Sequence, residues 1–133
     1  MPQATTRMPQ ATLNVFRKST DDAPLKEWLK ELKSIEPRAY HSCLSRILEL
    51  ERIGHEMRPP LNRHLGDGIY ELRAKKGRVN YRVLYFFCGQ NVVCMTHGFT
   101  KEGEIPDAEI ERANESRKLI TADRDKHIQT WEL

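Results

Sequence analysis

The spacing of apolar positions changes along the chain, and each spacing predicts a different element. Residues 12–19 alternate apolar and polar side chains and contain β-branched residues, which is typical of a short strand. Over residues 25–35 apolar positions recur three and four residues apart, which predicts an amphipathic helix after the cap residues and proline of "TDDAP". Pro37 begins a second helical pattern that stops at Gly54, so the two helices are expected to form a helical hairpin.

Three strand patterns follow the loop "MRPPLNRHLGDG", at residues 69–74, 80–88 and 91–100. Their short connections predict an antiparallel meander. The segments "VLYFF" and "VVCM" are apolar on both faces, so at least part of each side should be covered. From Pro106 the pattern is helical again, with a thin apolar stripe. The order β-α-α-β-β-β-α predicts an α+β fold, an antiparallel sheet with an N-terminal helical hairpin and a C-terminal helix.

The length of 133 residues favours one domain, which we place at residues 12–126. Residues 1–11 repeat "MPQAT" without an apolar period and predict a disordered arm, and residues 127–133 are left as a tail. No apolar run approaches the roughly 18 residues of a membrane span, and no secretory signal is recognisable, so we expect a cytoplasmic location. The cysteines and histidines are scattered, and we expect no metal and no cofactor.

The positive charge of the chain is concentrated in its middle. Residues 58–101 hold eight Lys/Arg and two acidic residues, a net charge of +6, whereas the whole chain carries +3. A segment of one sign suggests a polyanionic partner such as nucleic acid. The alternative is a basic surface that is merely solvated.

The segment "GDGIYELRAKKGRVNYRVLYFF" is predicted to be a β-hairpin with its turn at Gly77 and Arg78. This turn places Arg73 and Arg82 directly opposite each other on neighbouring strands. Like charges in such a cross-strand pair are destabilising. One interpretation is that the counter-charge comes from a substrate phosphate. The other is that each arginine pairs with an acidic residue of the chain, such as Glu71.

The motifs "LGDGIYELRAKKGRVNYRVLYFF", "HGFTK" and "IPDAEIERA" resemble the HigB-like branch of the RelE/ParE toxin superfamily, often labelled phage-derived toxin proteins. The element order is similar over residues 13–119, and the motifs are specific over residues 65–113. The resemblance implies a RelE-like fold and the toxin of a type II toxin–antitoxin system. It further implies a metal-independent endoribonuclease that cleaves mRNA, often on the ribosome, and inhibits translation. The implied partner is a cognate antitoxin with a helix-turn-helix DNA-binding domain.

The resemblance also assigns roles to three residues. Arg82 in "NYRVLYF" matches the strand arginine that contacts the scissile phosphate in relatives. Arg73 in "YELR" matches a basic residue of the neighbouring strand, and Lys101 in "GFTK" matches the basic residue after the last strand. These three are the candidate catalytic residues.

The chain departs from its relatives at several positions. Glu71 stands where some relatives have lysine. Glu102 and Glu104 in "KEGEIP" bring negative charge where relatives carry basic residues. The sequence has no tyrosine after Tyr85, so the C-terminal catalytic tyrosine of the ribosome-dependent prototype is absent. These departures affect the catalytic assignment more than the fold.

Metal-free RNA cleavage moves the 2′-hydroxyl onto the adjacent phosphorus and expels the 5′-oxygen, so negative charge builds on the phosphoryl oxygens. Preplaced guanidinium groups stabilise such charge because their planar fork binds phosphate oxygens bidentately. Arg73 and Arg82 are suited to hold one phosphate, with Lys101 as a third positive group. A lysine whose pKa is lowered by cationic neighbours is one candidate for the acid–base group, and the sequence does not identify the general acid or the general base.

Other basic side chains are weaker candidates. Alternation puts His97 on the strand face of Val93, Met95 and Phe99, which favours a core role. At the hairpin tip a solvated turn is as consistent with the pattern as a phosphate contact, which would give steep salt dependence. The candidate RNA-binding residues, at the tip and in the loop before the hairpin, are Lys75, Lys76, Arg78, Arg63 and His64.

Two other functions fit the same fold. A ParE-like gyrase inhibitor shares the scaffold but has no need of the strand arginine and the terminal lysine. An RNA- or protein-binding module that has lost catalysis is favoured by the "KEGE" segment.

Overall fold

The computed structural model describes residues 11–132, in which a six-stranded sheet carries helices on both faces. A short 3₁₀ turn also lies at Gly54–Glu56. In chain order the elements are β1 (Thr12–Phe16), α1 (Pro24–Ile35), α2 (Pro37–Ile53), β2 (Asn62–Gly66), β3 (Ile69–Lys76), β4 (Val79–Gly89), β5 (Val92–Thr100), α3 (Asp107–Ala122), α4 (Arg124–His127) and β6 (Ile128–Thr130).

The sheet has the strand order β2-β3-β4-β5-β1-β6 and is antiparallel except where β1 pairs with β5. The predicted α+β fold, with its helical hairpin, meander and C-terminal helix, is confirmed. The parallel β1–β5 pair needs a long connection, and the chain from α1 to β4 supplies it.

Two short strands go beyond the predicted element order. The loop "MRPPLNRHLGDG" contains β2, and the tail assigned to residues 127–133 contains β6. Both strands lie at the edges of the sheet and show little apolar alternation. Polar side chains on an edge strand discourage its pairing with other chains, so such strands lack the apolar pattern that identifies a strand in the sequence. Of the predicted arm, residues 1–10 lie outside the described residues, whereas Ala11 is buried and its N–H donates to the Glu51 carbonyl.

The helical hairpin covers one face of the sheet. Pro24 and Pro37 occupy the first turns of α1 and α2, where no backbone N–H donor is needed. The two helices bury a helical stripe of side chains against Tyr85 and Met95 of the sheet. The stripe consists of Leu25, Leu29, Leu32, Ala39, Cys43, Ile47 and Leu50.

A bulge in β5 corrects the predicted placement of His97. The β4–β5 register shifts so that Tyr85 pairs with Met95 and Leu84 with His97, which leaves Thr96 as the extra residue. Met95 therefore faces α1 and α2, while His97 lies on the opposite face with Phe99. Simple alternation across residues 93–99 was wrong, because one inserted residue reverses the faces of all that follow.

The second face is covered by α3. Ala113 and Ile120 of this helix pack against Ile69, Leu84 and Phe86 of the strands. The thin stripe predicted for the C-terminal helix thus corresponds to a second, smaller core. Within residues 11–132, no helix is long and apolar enough to cross a membrane.

The packing of α1 on β5 depends on a residue without a side chain. The Trp28 indole lies directly over the Cα of Gly98, and a Cβ at position 98 would fall well inside contact distance of the ring. Because glycine has no side chain, α1 can pack close to β5, and the Trp28 ring fills the space between the helix and the strand.

We predict that Gly98→Ala lowers the free energy of unfolding by about 1–3 kcal/mol, the usual cost of overpacking a closely packed site. The control is Gly89→Ala, where the new Cβ would meet only the Val92 side chain, at 3.3 Å, and should cost less. Urea denaturation of both variants measures the difference. Equal losses would contradict the close contact of Trp28 with the strand.

Candidate functional site

The hairpin formed by β3 and β4 has the predicted register. Arg73 pairs directly with Arg82, and the pairs closer to the turn follow the predicted order. On the other side of β3, Arg63 of β2 pairs with Glu71. Because side chains alternate along each strand, these four residues lie on one face of the sheet, the face that α3 covers elsewhere.

Glu71 is the centre of this group. Its carboxylate is fully buried and accepts two hydrogen bonds from Arg73, Nε to Oε1 and Nη2 to Oε2, both 3.2 Å long. Nε of Arg82 lies 3.2 Å from Oε1, and Nε of Arg63 lies 3.4 Å from Oε2. The interpretation in which only a substrate phosphate supplies the counter-charge was wrong, and Glu71 supplies it. We call Arg63, Glu71, Arg73 and Arg82 the Glu71 cluster.

The Glu71 cluster is not neutral. Three guanidinium groups surround one carboxylate, which leaves two positive charges in excess. Their side chains differ in exposure, from 51% for Arg63 and 34% for Arg73 to 3% for Arg82. The side chains of Arg63 and Arg73 are therefore partly open to solvent, and the buried carboxylate holds the Arg73 fork through two hydrogen bonds.

Arg82 is the buried member of the cluster. Its Nη2 donates a hydrogen bond to the carbonyl of Gly103, and its Nη1 has no hydrogen-bond partner among the described residues. Burial lowers the pKa of the Arg82 guanidinium; Glu71 opposes this shift, and the charges of Arg73 and Arg63 add to it. The group stays protonated, because arginine does not lose its proton in proteins at neutral pH.

The structure does not bring the other candidate residues into the Glu71 cluster. The side chain of Lys101 is exposed, and its backbone N–H donates to the carbonyl of Asn80, beside the start of β4. The His64 ring packs against Tyr70, with 4.8 Å between centroids, on the face opposite to Arg63. At the hairpin tip the side chains are exposed or half-buried: Lys75, Lys76 and Arg78.

A cleft of about 310 Å³ lies beside the cluster, between β2 and the start of α3. Its lining includes Arg63 together with Glu104 and Ile105 of the segment that follows β5.

Sequence reasoning missed the involvement of this segment, because the contact is made by the backbone carbonyl of Gly103, and a pattern of side chains does not predict backbone contacts. Glu71 had a signal, since it precedes Arg73 by two residues on a strand.

His97 is a buried residue without a place in the cluster, as the core assignment predicted. Its side chain is 1% exposed, its Nε2 lies 3.2 Å from Glu109 Oε1, and its Nδ1 lies 3.0 Å from Thr96 Oγ1. Burial lowers the pKa of His97 to about 3, and the charge of Arg112 adds to the shift. The ring is therefore neutral at pH 7 and links β5 to α3. Across residues 11–132, no group of three or more His, Cys, Asp and Glu side chains is arranged to hold a metal ion.

Comparison with known proteins gives one family. A model described as "Phage derived protein Gp49-like (DUF891)" matches residues 30–118, more than half of the chain. The matched part contains the whole Glu71 cluster and the segment that follows β5. No curated protein matches the chain.

We predict that Glu71→Gln lowers the free energy of unfolding by about 3 kcal/mol, because it leaves three guanidinium groups around a neutral amide. The matched control is Glu49→Gln, which removes an exposed ion pair with Arg52 and should cost less than about 1 kcal/mol. Chemical denaturation of both variants provides the measurement. A loss at Glu71 no larger than at Glu49 would show that the cluster does not depend on its carboxylate.

We predict that His97 makes the stability of the protein depend on pH below its ordinary pKa of 6.5. The folded-state pKa is lowered, so the unfolded chain binds one more proton between pH 6.5 and about 3, and stability falls as pH falls through this window. Relative to His97→Gln, the unfolding free energy of the wild type should decrease more steeply, by up to about 1.4 kcal/mol per pH unit. Urea titrations at pH 7, 6 and 5 test this, and parallel curves would contradict it.

Proposed function

The chain belongs to the Gp49-like family of phage-derived proteins, within the toxin–antitoxin (RelE/Gp49-like) group, and from this premise we propose that it is an mRNA-cleaving toxin. We place it in the HigB-like branch, as the toxin of a type II system that inhibits translation. The observation that carries the proposal is the Glu71 cluster, in which two partly exposed arginine side chains lie against a buried carboxylate.

The proposed reaction is metal-independent transesterification of RNA. The 2′-oxygen forms a bond to the adjacent phosphorus while the bond to the 5′-oxygen breaks, which yields a 2′,3′-cyclic phosphate and a 5′-hydroxyl. Arg63 and Arg73 bind the non-bridging oxygens, on which negative charge increases in the transition state. Glu71 keeps the forks oriented, so little reorganisation is needed when the substrate binds. The proton of the 2′-hydroxyl passes to a base, and an acid protonates the leaving 5′-oxygen.

Lys101 and the hairpin tip extend this site. Lys75 shares the sheet face of Arg73, two residues nearer to the turn, and its side chain is exposed like that of Arg78. A strand of RNA bound at the Glu71 cluster would therefore meet further positive charge along the hairpin. Lys101, exposed beside the start of β4, is the proposed third positive group.

The proposed partners extend the same proposal. The toxin–antitoxin context of the family supports a cognate antitoxin, for which we propose a helix-turn-helix domain, and we propose mRNA, often bound to the ribosome, as the substrate. A second candidate function is RNA binding without catalysis. It is favoured by the burial of Arg82, the residue matched to the phosphate-contacting arginine of relatives.

We predict that expression of the wild-type chain in bacteria without an antitoxin arrests growth and produces discrete new 5′ ends in mRNA. Arg73→Lys keeps the charge but loses the planar fork, so cleavage should fall by about 100-fold, the usual effect of removing one transition-state donor. Primer extension after induction measures both. The control is Arg38→Lys, which makes the same exchange on the exposed surface of α2.

Other outcomes would favour other functions. Intact mRNA with induced DNA damage would indicate gyrase inhibition, and unaffected growth would indicate a binding module. Cleavage that is unchanged in Arg73→Lys would remove the Glu71 cluster from the reaction.

A further inference from the structure

Residues 101–105 run from the end of β5 to the start of α3 and pass over Arg82. One end is fixed where the Lys101 N–H donates to the carbonyl of Asn80, 3.2 Å away. The other end is fixed by Ile105, which is buried in the apolar cluster beneath α3. Between these points residues 102–104 are exposed. We call residues 101–105 the strap.

The middle of the strap makes few contacts with the sheet. Among the described residues, its only side-chain hydrogen bond joins the Gly103 carbonyl to Nη2 of Arg82, and Glu102 and Glu104 form no ion pair. A neutral carbonyl is a weaker acceptor for a guanidinium than a charged phosphate oxygen is. Arg82 also keeps a buried Nη1 without a partner in residues 11–132. The guanidinium thus has donor capacity that the strap leaves unused.

The closed shape of the strap depends on the backbone of Gly103. This residue has a φ of +78°, in the left-handed region, and a Cβ built there would meet nothing within 4 Å. A side chain at position 103 would therefore strain the backbone without any clash. Substitution at this position changes the free energy of the closed strap and leaves its surroundings unaltered.

We propose that the strap closes a phosphate subsite on Arg82, and that the Gly103 carbonyl occupies the place of a phosphate oxygen until the strap opens. In the closed form an anion reaches Arg63 and Arg73 only. Opening exposes Arg82, so that guanidinium groups from three strands can surround one phosphate. A ligand that binds only the open form shifts the population toward it. That this phosphate belongs to RNA rests on the proposed function.

The acidic residues of the strap fit this role. Glu104 lines the cleft beside Arg63, so the closed strap presents a carboxylate where an RNA phosphate would approach. Opening carries Glu102 and Glu104 away together with the Gly103 carbonyl, since all three lie between the same two fixed points. The "KEGE" departure from relatives is then a feature that limits access to the site.

The strap is tested by the reactivity of Arg82 toward phenylglyoxal, followed site by site by mass spectrometry. In the wild type Arg82 should react far more slowly than Arg63. Gly103→Ala should speed the modification of Arg82 by about tenfold, because alanine disfavours the left-handed backbone of the closed strap. Millimolar inorganic phosphate should protect Arg82 in this variant.

Two controls separate strap opening from general loosening. Gly77→Ala introduces the same kind of strain in an equally open place, at a φ of +64° in the hairpin turn, and should leave Arg82 unreactive. Gly103→Asn should behave like the wild type, because asparagine tolerates the left-handed region. The proposal is overturned if Arg82 reacts as fast as Arg63 in the wild type, or if Gly77→Ala exposes it equally.

The result for the strap is separable from the result for the function, because the modification needs no RNA. If Gly103→Ala speeds the modification of Arg82 but the protein cleaves no mRNA, the strap proposal is supported and the nuclease function is refuted. If the protein cleaves mRNA but Gly103→Ala does not change the reactivity of Arg82, the nuclease function is supported and the strap proposal is refuted.

Discussion

The burial of the Glu71 carboxylate is the constraint on which this half of the sheet depends. Removing an ion from water costs several kcal/mol, and this cost is offset only when counter-charges with good geometry surround it. Here the counter-charges come from three adjacent strands. A slip of one residue between β3 and either neighbour would turn its arginine to the other face and leave the carboxylate uncompensated. The cluster therefore also specifies the strand register.

The same electrostatics divide the arginines between two tasks. With the strap closed, Arg82 is buried and its charge helps to offset that of Glu71, whereas the side chains of Arg63 and Arg73 remain partly exposed. A site with an excess of positive charge is less stable than a neutral one, because the arginines repel each other. The excess positive charge is the feature that supports the proposed role of the cluster in binding an anion.

Sequence reasoning succeeded where the signal was local. The turn at Gly77 determined the pairing of Arg73 with Arg82, and the spacing of apolar residues determined the helical hairpin. It failed where tertiary context decides. The spacing of apolar residues over 93–99 does not predict the bulge at Thr96. Edge strands such as β2 and β6 need no apolar alternation, so their sequences do not identify them as strands. Glu71 was identified as one possible partner, but only the packing shows that a single carboxylate serves three arginines.

The position of β1 between β5 and β6 affects the order in which parts of the chain can fold. β1 is made early, yet its neighbours come from residues 92–95 and 128–130, so its pairing must wait for distant parts of the chain. The Glu71 cluster, by contrast, is complete in sequence by residue 82. Non-local pairing of this kind slows folding. During synthesis the charged hairpin can therefore form well before the strand that closes the opposite edge, and a nascent chain would carry its arginines on an unfinished sheet.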